Sequence, residues 1–418
     1  MKAKAEWLKL KEIMIHRPSV EIEYAMLAPK PFLFERVFNV PKALEEHMKL
    51  EEILKENGIN VHRLDREIIN KSDNSETFRK MILDYLLKKV HFYGTIEDSS
   101  NAEKNFRNNA EFLDSKTLFD LMVLEPSIIL KSNNDHTFDY PSVYSNLPLA
   151  NLYFMRDQQA VADNGIIIGN MKMEQRKREI DITKFVIENV FEIKDAFEIH
   201  KKGHFEGGDF IPAGDFSIIG IGSRTDEEGA YQAMISGKID SDEIFIVENP
   251  VYDFAKENKM VNMHLDTYFN IAGNGIAITS IYLAKIARGT IYSKESRGNY
   301  KKSGESTLFE YLKSKDFNFI DLSIPEQLAY SSNFLTLADR KIITVNVRKV
   351  IERLLSEKAF NIQTEEVVIS ELNKLGSDVF PNRIDVKKEG IDFINADLIE
   401  LTGGYGGAHC MTATLERA

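Results

Sequence analysis

The only cysteine of the chain, Cys410, directly follows a loop with four glycines, Leu401-Thr402-Gly403-Gly404-Tyr405-Gly406-Gly407-Ala408-His409. Glycine lets the backbone approach a ligand closely and leaves room around a sulfur, so the thiol is a candidate nucleophile. Free cysteines are more often buried packing residues, and a flexible tail would also explain glycine near the C-terminus. A packing cysteine, however, gains nothing from such a loop. As a single residue it excludes an intrachain disulfide and a zinc site of several thiolates.

A thiolate needs a proton acceptor or a cationic neighbour. Among the nine histidines, His264 stands out because Asp266 follows two residues later, and on a strand both side chains would project from one face. Taken alone, such a histidine is more often structural. Neither an HExxH motif nor a second histidine at ligand spacing accompanies it, so no metal site is expected. The acids Asp157, Glu206, Asp209 and Asp266 would repel one another if they met unpaired. A substrate guanidinium would reconcile them, because its planar fork of donors can be gripped by two carboxylates, and a cation beside the sulfur would lower the thiol pKa. For any one of these acids the plainer reading is a surface carboxylate paired with a lysine or arginine of the protein.

The elements that must position these groups recur. Val161–Ile166, Pro212–Ser217, Ile271–Ile276 and Leu337–Ile342 each carry Asn, Asp or Gly at a tight hairpin turn followed by an apolar strand. Their spacing of about 50–65 residues suits one small strand-and-helix unit. Charged residues precede the first three hairpins: Arg156 with Asp157, Glu206 with Asp209, and His264 with Asp266. Modules around an axis, as in a propeller, would bring such strand ends together; a doubly wound sheet or two independent domains are the alternatives. The N-terminal part reads as a strand at Glu12–His16, a helix from Pro41 to Gly58 and a strand at Ile59–Leu64, with Pro41 suited to the first turn and Gly58 to the end. From about 75 to 147 the spacing turns helical, with Phe78, Ile82, Tyr85 and Leu86 on one face, then Phe106–Leu113, then a segment capped by Ser115. Glu97–Asn101 reads as a polar connection between two of these helices.

The chain has 418 residues and 43% apolar side chains, enough for a full core. Its formal charge of −12 opposes nonspecific nucleic-acid binding and weakly favours a cationic substrate or simple solubility. No apolar run spans a bilayer and no leader pattern opens the sequence, so a cytoplasmic location without membrane attachment is expected.

Four stretches together resemble the arginine deiminases, within the guanidino-modifying enzymes built as a fivefold α/β propeller of ββαβ modules, the pentein fold. They are Asn151–Asp157, Phe205–Asp209, Met263–Thr267 and Gly406–Thr412, in the family's order and spacing. The resemblance covers nearly the whole chain. It implies a catalytic propeller over 1–74 and 148–418 with a helical subdomain inserted at 75–147. It further implies hydrolysis of L-arginine to L-citrulline and ammonia without a cofactor, in a protein that is commonly a homo-oligomer. By position, Cys410 would attack the guanidinium carbon while Asp157 and Asp266 hold its nitrogens. His264 would shuttle protons, and Glu206 would orient it. Arg176 and Arg224 would bind the substrate carboxylate, with Arg178 close enough that register matters, and Asn151 and Phe154 would line the pocket. The sequence departs from the family at Tyr405, where an arginine that helps gate the site is typical, and at Ala150, where a proline is usual. Related reactions on the same scaffold are the near alternatives: amidino transfer, dihydrolysis to ornithine, or deimination of another guanidine. The alternative of another class is a noncatalytic arginine-binding protein.

Overall fold

The computed structural model describes residues 1–131, 140–145, 147–200, 202–255 and 260–418. Within them the four sequence-marked hairpins all form. Gln159–Ala162 pairs antiparallel with Gly165–Ile168, Phe210–Ala213 with Phe216–Ile221, Phe269–Gly273 with Ile276–Thr279, and Leu335–Ala338 with Lys341–Val345. The turns need positive φ, supplied by Gly165, Gly214 and Gly275 in three hairpins and by Arg340 at 60° in the fourth.

The hairpins are parts of a larger repeat. In each, the second strand takes a parallel third strand: Phe197–Glu198, Glu243–Glu248, Asn318–Asp321 and Asp392–Ala396 respectively. The sheet joining the ends of the chain has the same wiring, with Leu10–Ile15 antiparallel to Ala413–Arg417 and parallel to Asn60–Arg63. Helices connect the second strand to the third, as a parallel crossover requires. One of these helices, Val40–Glu56, begins with the Asn39 side chain accepting from the Lys42 N–H and ends before Gly58, whose φ is 74°. The fold is therefore α/β, with five small sheets of one wiring among the described residues. One of the five is widened by a long hairpin, Arg288–Ser296 with Asn299–Thr307.

Each sheet has its first strand led in by a short irregular segment. Residues 151–158 precede Gln159, Gly207–Asp209 precedes Phe210, Leu265–Thr267 precedes Phe269, residues 329–334 precede Leu335, and residues 405–412 precede Ala413. All the acids singled out above, and the cysteine, lie in these lead-ins or at their edges.

The 75–147 region differs from a purely helical insertion. It holds the helices Glu76–Leu86, Ile96–Asn109 and Ser115–Leu124, together with a three-stranded sheet of His91–Tyr93, Pro126–Lys131 and Tyr140–Ser145. Residues 132–139 and 146 lie outside the described residues. The polar stretch Glu97–Asn101 is not a connection; it forms the first half of the second helix, where Thr95 caps the Asp98 N–H and Glu97 and Asp98 complement the helix dipole. That helix buries no residue, so it leaves no apolar periodicity to read. The cap of the third helix is Asp114, which accepts from the Thr117 N–H, while the Ser115 hydroxyl donates to Asp73 and lies 2.9 Å from that of Ser72. Phe78, Ile82, Leu86, Leu118, Phe119 and Met122 share one core with Met14, Leu152, Met155 and Leu415, so this region is packed onto the sheet that joins the chain ends.

Candidate active site

Cys410, Asp157, His264, Arg176, Arg224, Asn151, Phe154, Gly404 and Tyr405 line one narrow pocket. Eight of the ten site residues expected from the sequence are thus joined directly, Tyr405 among them, and the remaining two, Glu206 and Asp266, touch lining residues. His264 Nε2 lies 2.8 Å from Glu206 Oε2, and its Nδ1 lies 3.7 Å from Asp157 Oδ1. Cys410 Sγ lies 3.5 Å from Asp266 Oδ2. All five of these side chains are buried.

The glycines act as the sequence suggested. A Cβ at Gly406 would stand 3.2 Å from the Cys410 sulfur and 2.7 Å from the Phe154 ring, and one at Gly407 would stand 2.7 Å from the Asn333 carbonyl oxygen. Gly208 serves the other wall, since a Cβ there would approach His264 Nδ1 to 2.9 Å and Asp157 Oδ1 to 3.0 Å.

The pairing of histidine and acid differs from the sequence expectation. Residues 265–267 form a 3-10 turn rather than a strand, so His264 and Asp266 do not share a face. Asp266 Oδ2 instead lies 2.7 Å from His409 Nδ1. Behind His409 stands Glu6, paired with Arg417 at 2.6 Å and 3.9 Å from Arg156. Asp209 does not line the pocket either; it accepts from Asn249 and from the Leu265 N–H, both at 2.8 Å, and so anchors the turn that carries Asp266.

Arg176 is already engaged. Its Nη1 donates to Asp157 Oδ2 at 2.5 Å and its Nη2 to Glu179 Oε2 at 2.9 Å. Arg178 points elsewhere, to Glu125 and the Leu147 carbonyl. Arg224 is buried, with Nη2 3.2 Å from Met260 Sδ, and its Nη1 has no hydrogen-bond partner among the described residues. Asn151 donates to the Phe32 carbonyl at 2.8 Å, and Phe154 packs on Tyr153. Tyr405 adopts a left-handed conformation at φ 71°, in the electrostatic neighbourhood of Glu35 and Arg36.

The sequence reading missed Asn333. Its amide Oδ1 accepts from the N–H of Gly407 at 2.8 Å and of Cys410 at 3.0 Å, and its Nδ2 donates to Cys410 Sγ at 3.0 Å and to the Asp266 carbonyl at 3.2 Å. A signal was available, because the fourth hairpin was recognised and Asn333 stands two residues before its first strand, as Asp157 does before the first.

Charge in the pocket is unevenly held. Burial opposes the His264 charge, but Asp157, the Glu206 hydrogen bond and Asp209 outweigh it and raise the imidazole to about 9. Burial would raise Glu206 as well; His264, Arg224 and Arg176 instead bring it down to about 2. The Cys410 thiol is pushed well above its ordinary value, first by burial and then by Asp266 and Asp157, while the Asn333 hydrogen bond works in the opposite direction. At neutral pH these protein groups by themselves favour an imidazolium at His264 and a neutral thiol at Cys410. One ligand atom each from Asp157, Glu206 and His264 lie within 4.8 Å of one another, close enough to share a single cation, metallic or organic.

Residues 30–417 match the family model described as arginine deiminase. The chain belongs to the arginine deiminase family. It is 26% identical to the arginine deiminase of Halobacterium salinarum, over all of this chain and 96% of that protein. With the arginine deiminases of Streptococcus agalactiae and Oenococcus oeni it shares 24% and 25%, over 98% and 88% of this chain and 96% and 92% of theirs. Among solved structures, the N-terminal domain of ArgZ, an arginine dihydrolase from cyanobacteria, superposes with a TM-score of 0.52 at 11% identity, covering 97% of this chain and 98% of that one. DDAH from Pseudomonas aeruginosa, crystallised with citrulline, gives 0.50 at 14% identity over 97% and 100%. Family membership and these folds agree with the α/β architecture described above.

Proposed function

We propose that this arginine deiminase family member hydrolyses free L-arginine to L-citrulline and ammonia through a covalent adduct on Cys410. The observation that carries this reading is a set of buried polar atoms that find no hydrogen-bond partner among the described residues, around one thiol: Asp157 Oδ1, Asp266 Oδ1 and Arg224 Nη1. Buried polar atoms are costly unless they are met, so they mark where a ligand's groups belong. Two acceptors and one donor suit a molecule cationic and planar at one end and anionic at the other.

In this reading Asp157 and Asp266 grip the guanidinium, and its charge displaces the thiol proton to solvent. The thiolate attacks the guanidinium carbon. His264, an imidazolium, gives its proton to the departing nitrogen, which leaves as ammonia, and an S-alkylthiouronium remains. The now neutral His264 takes a proton from water as the hydroxide adds to the same carbon. The C–S bond then breaks as the added hydroxyl gives its proton to solvent, releasing citrulline and regenerating the thiolate. Glu206 holds the imidazole in position and stabilises its charged form, as the third member of a triad does. Arg224 is the better supported carboxylate anchor, since Arg176 reaches a substrate only by releasing the acid that the guanidinium needs. Asn151 and Phe154 shape the walls of the pocket, and Tyr405 takes the place of the gating arginine. No step calls on a metal or organic cofactor.

The finer architecture belongs to the same reading: the five like-wired sheets form the modules of a fivefold propeller over 1–74 and 148–418, with 75–147 inserted. Support comes from the lead-ins, which bring residues far apart in sequence to one pocket or, as at Glu206 and Asn333, against its lining. A cytoplasmic homo-oligomer completes the proposal; no helix among the described residues is long and apolar enough to cross a membrane. Light scattering on the purified protein tests the assembly.

The deciding assay incubates the purified protein with L-arginine and measures citrulline, ammonia and ornithine. Citrulline and ammonia in equal amounts support the proposal. Ornithine with two ammonia per arginine would replace it by dihydrolysis, a new guanidine by amidino transfer, and binding without turnover by a noncatalytic role.

A further inference from the structure

We infer that Asn333 is a further catalytic residue, whose side-chain N–H stabilises the Cys410 thiolate while its oxygen fixes the loop that presents the sulfur. The inference rests on Cys410 being the nucleophile. Its basis is the division of labour within one amide. Oδ1 takes two backbone N–H groups of the cysteine loop, at 2.8 and 3.0 Å, and Nδ2 has the sulfur at 3.0 Å. The main chain of Asn333 joins the same arrangement, since the His409 N–H donates to its carbonyl oxygen at 3.1 Å. Asn333 is fully buried, so its amide orientation is determined by protein partners: Oδ1 faces two N–H donors and could not be exchanged with Nδ2 without leaving both unpaired.

The sulfur needs such help. Its other near neighbour is the carboxylate of Asp266 at 3.5 Å, Asp157 stands on the same pocket, and His264, on that wall, has its Nε2 on Glu206 and its Nδ1 towards Asp157. An anion forming among carboxylates is stabilised by whatever donor points at it. Among the described residues, Asn333 Nδ2 donates to Cys410 Sγ. A donor aimed where negative charge develops, inside a buried site, is worth more than the same bond in water. A purely structural asparagine would need its oxygen for the loop but not its N–H on the sulfur.

Asn333→Asp separates the two halves of the amide: it keeps an oxygen for Gly407 and Cys410 and replaces the donor by a second acceptor. Asn333→Ser is the smaller companion. The readout is the rate of Cys410 alkylation by iodoacetamide from pH 6 to 11, followed by mass spectrometry, beside kcat and KM for arginine and thermal melting. The expected result for Asn333→Asp is an alkylation midpoint raised by about one pH unit or more and a kcat lowered about tenfold or more, with KM changed by less than about threefold. Folded variants with the alkylation midpoint and kcat of the parent protein overturn the inference and leave the nucleophile intact. Loss of cooperative melting in both variants also overturns it, by making Asn333 a requirement of the fold. Turnover that survives Cys410→Ala would remove the nucleophile itself, and this inference with it.

Discussion

His264 and His409 are both buried, and each stands within 2.8 Å of one carboxylate oxygen, yet their surroundings differ. His264 lines the pocket, with Glu206 on one nitrogen and Asp157 near the other. His409 lies one layer below, between Asp266 and the Glu6–Arg417 pair. The same two residue types therefore perform two tasks. Where the imidazole borders the pocket, its acidic partners raise it to about 9; where it is enclosed by protein, as at His409, it lies between the carboxylates of Asp266 and Glu6. Adjacency to Cys410 in sequence is a poor guide to which histidine borders the pocket, because His409 is its neighbour and His264 is 146 residues away.

The contrast can be broken most forcefully at the sulfur. Cys410→Ala is expected to lower kcat by about 10^4-fold or more with melting unchanged, as measured by citrulline release; substantial residual turnover would end the distinction between a reacting and a supporting layer. Next come the two histidines as a pair. His264→Ala is expected to cost about 10^2- to 10^4-fold in kcat. His409→Ala should instead show mainly in stability, by about 3 kcal/mol, because it leaves buried acids unpaired. Denaturant titration beside kinetics reads both, and equal kinetic losses with equal melting would mean that the layers are one unit.

Gly208→Ala sharpens the geometry of the pocket wall. Its Cβ would force His264 or Asp157 to shift, with an expected kcat loss of about tenfold or more at constant oligomeric state. The pH profile is a finer test. Because His264 is raised to about 9, activity that needs its proton should persist through neutral pH and fall as pH rises through about 9. The same shift contributes stability that is complete below the ordinary histidine value near 6.5 and is lost as pH rises through about 9. Glu206→Gln removes one of the raising partners, so the alkaline limb should move to lower pH; an unmoved limb would assign it to another group. The smallest effect is expected at the mouth. Tyr405→Arg should change KM for arginine by about two- to fivefold with little change in melting, the scale of a partly exposed charge. Identical kinetics with arginine and its shorter analogues would deny Tyr405 any part in substrate choice.

Much of this was legible in the residues. The hairpin turns declared themselves through Asn164-Gly165, Gly214-Asp215 and Asn274-Gly275, because positive φ restricts which residues fit. The amphipathic faces of Phe78–Leu86 and Ser115–Leu124 were visible for the same kind of reason: burial imposes a period. The helix Ile96–Asn109 and the hairpin Arg288–Thr307 went unread because they bury little and so impose none. Asn333 went unread because asparagine before a strand is also an ordinary turn residue.

The sequence by itself determined the four hairpin turns, the single available thiol, and the acids and histidines that could serve it, since these depend on backbone preference and on residue chemistry. Which histidine meets which acid, that Arg176 is held by Asp157, and that an amide from the fourth hairpin reaches the sulfur were decided only by tertiary structure. Hydrogen bonds act over about 3 Å, and distances of that size between residues scores of positions apart are set by how the five sheets pack, not by their order along the chain.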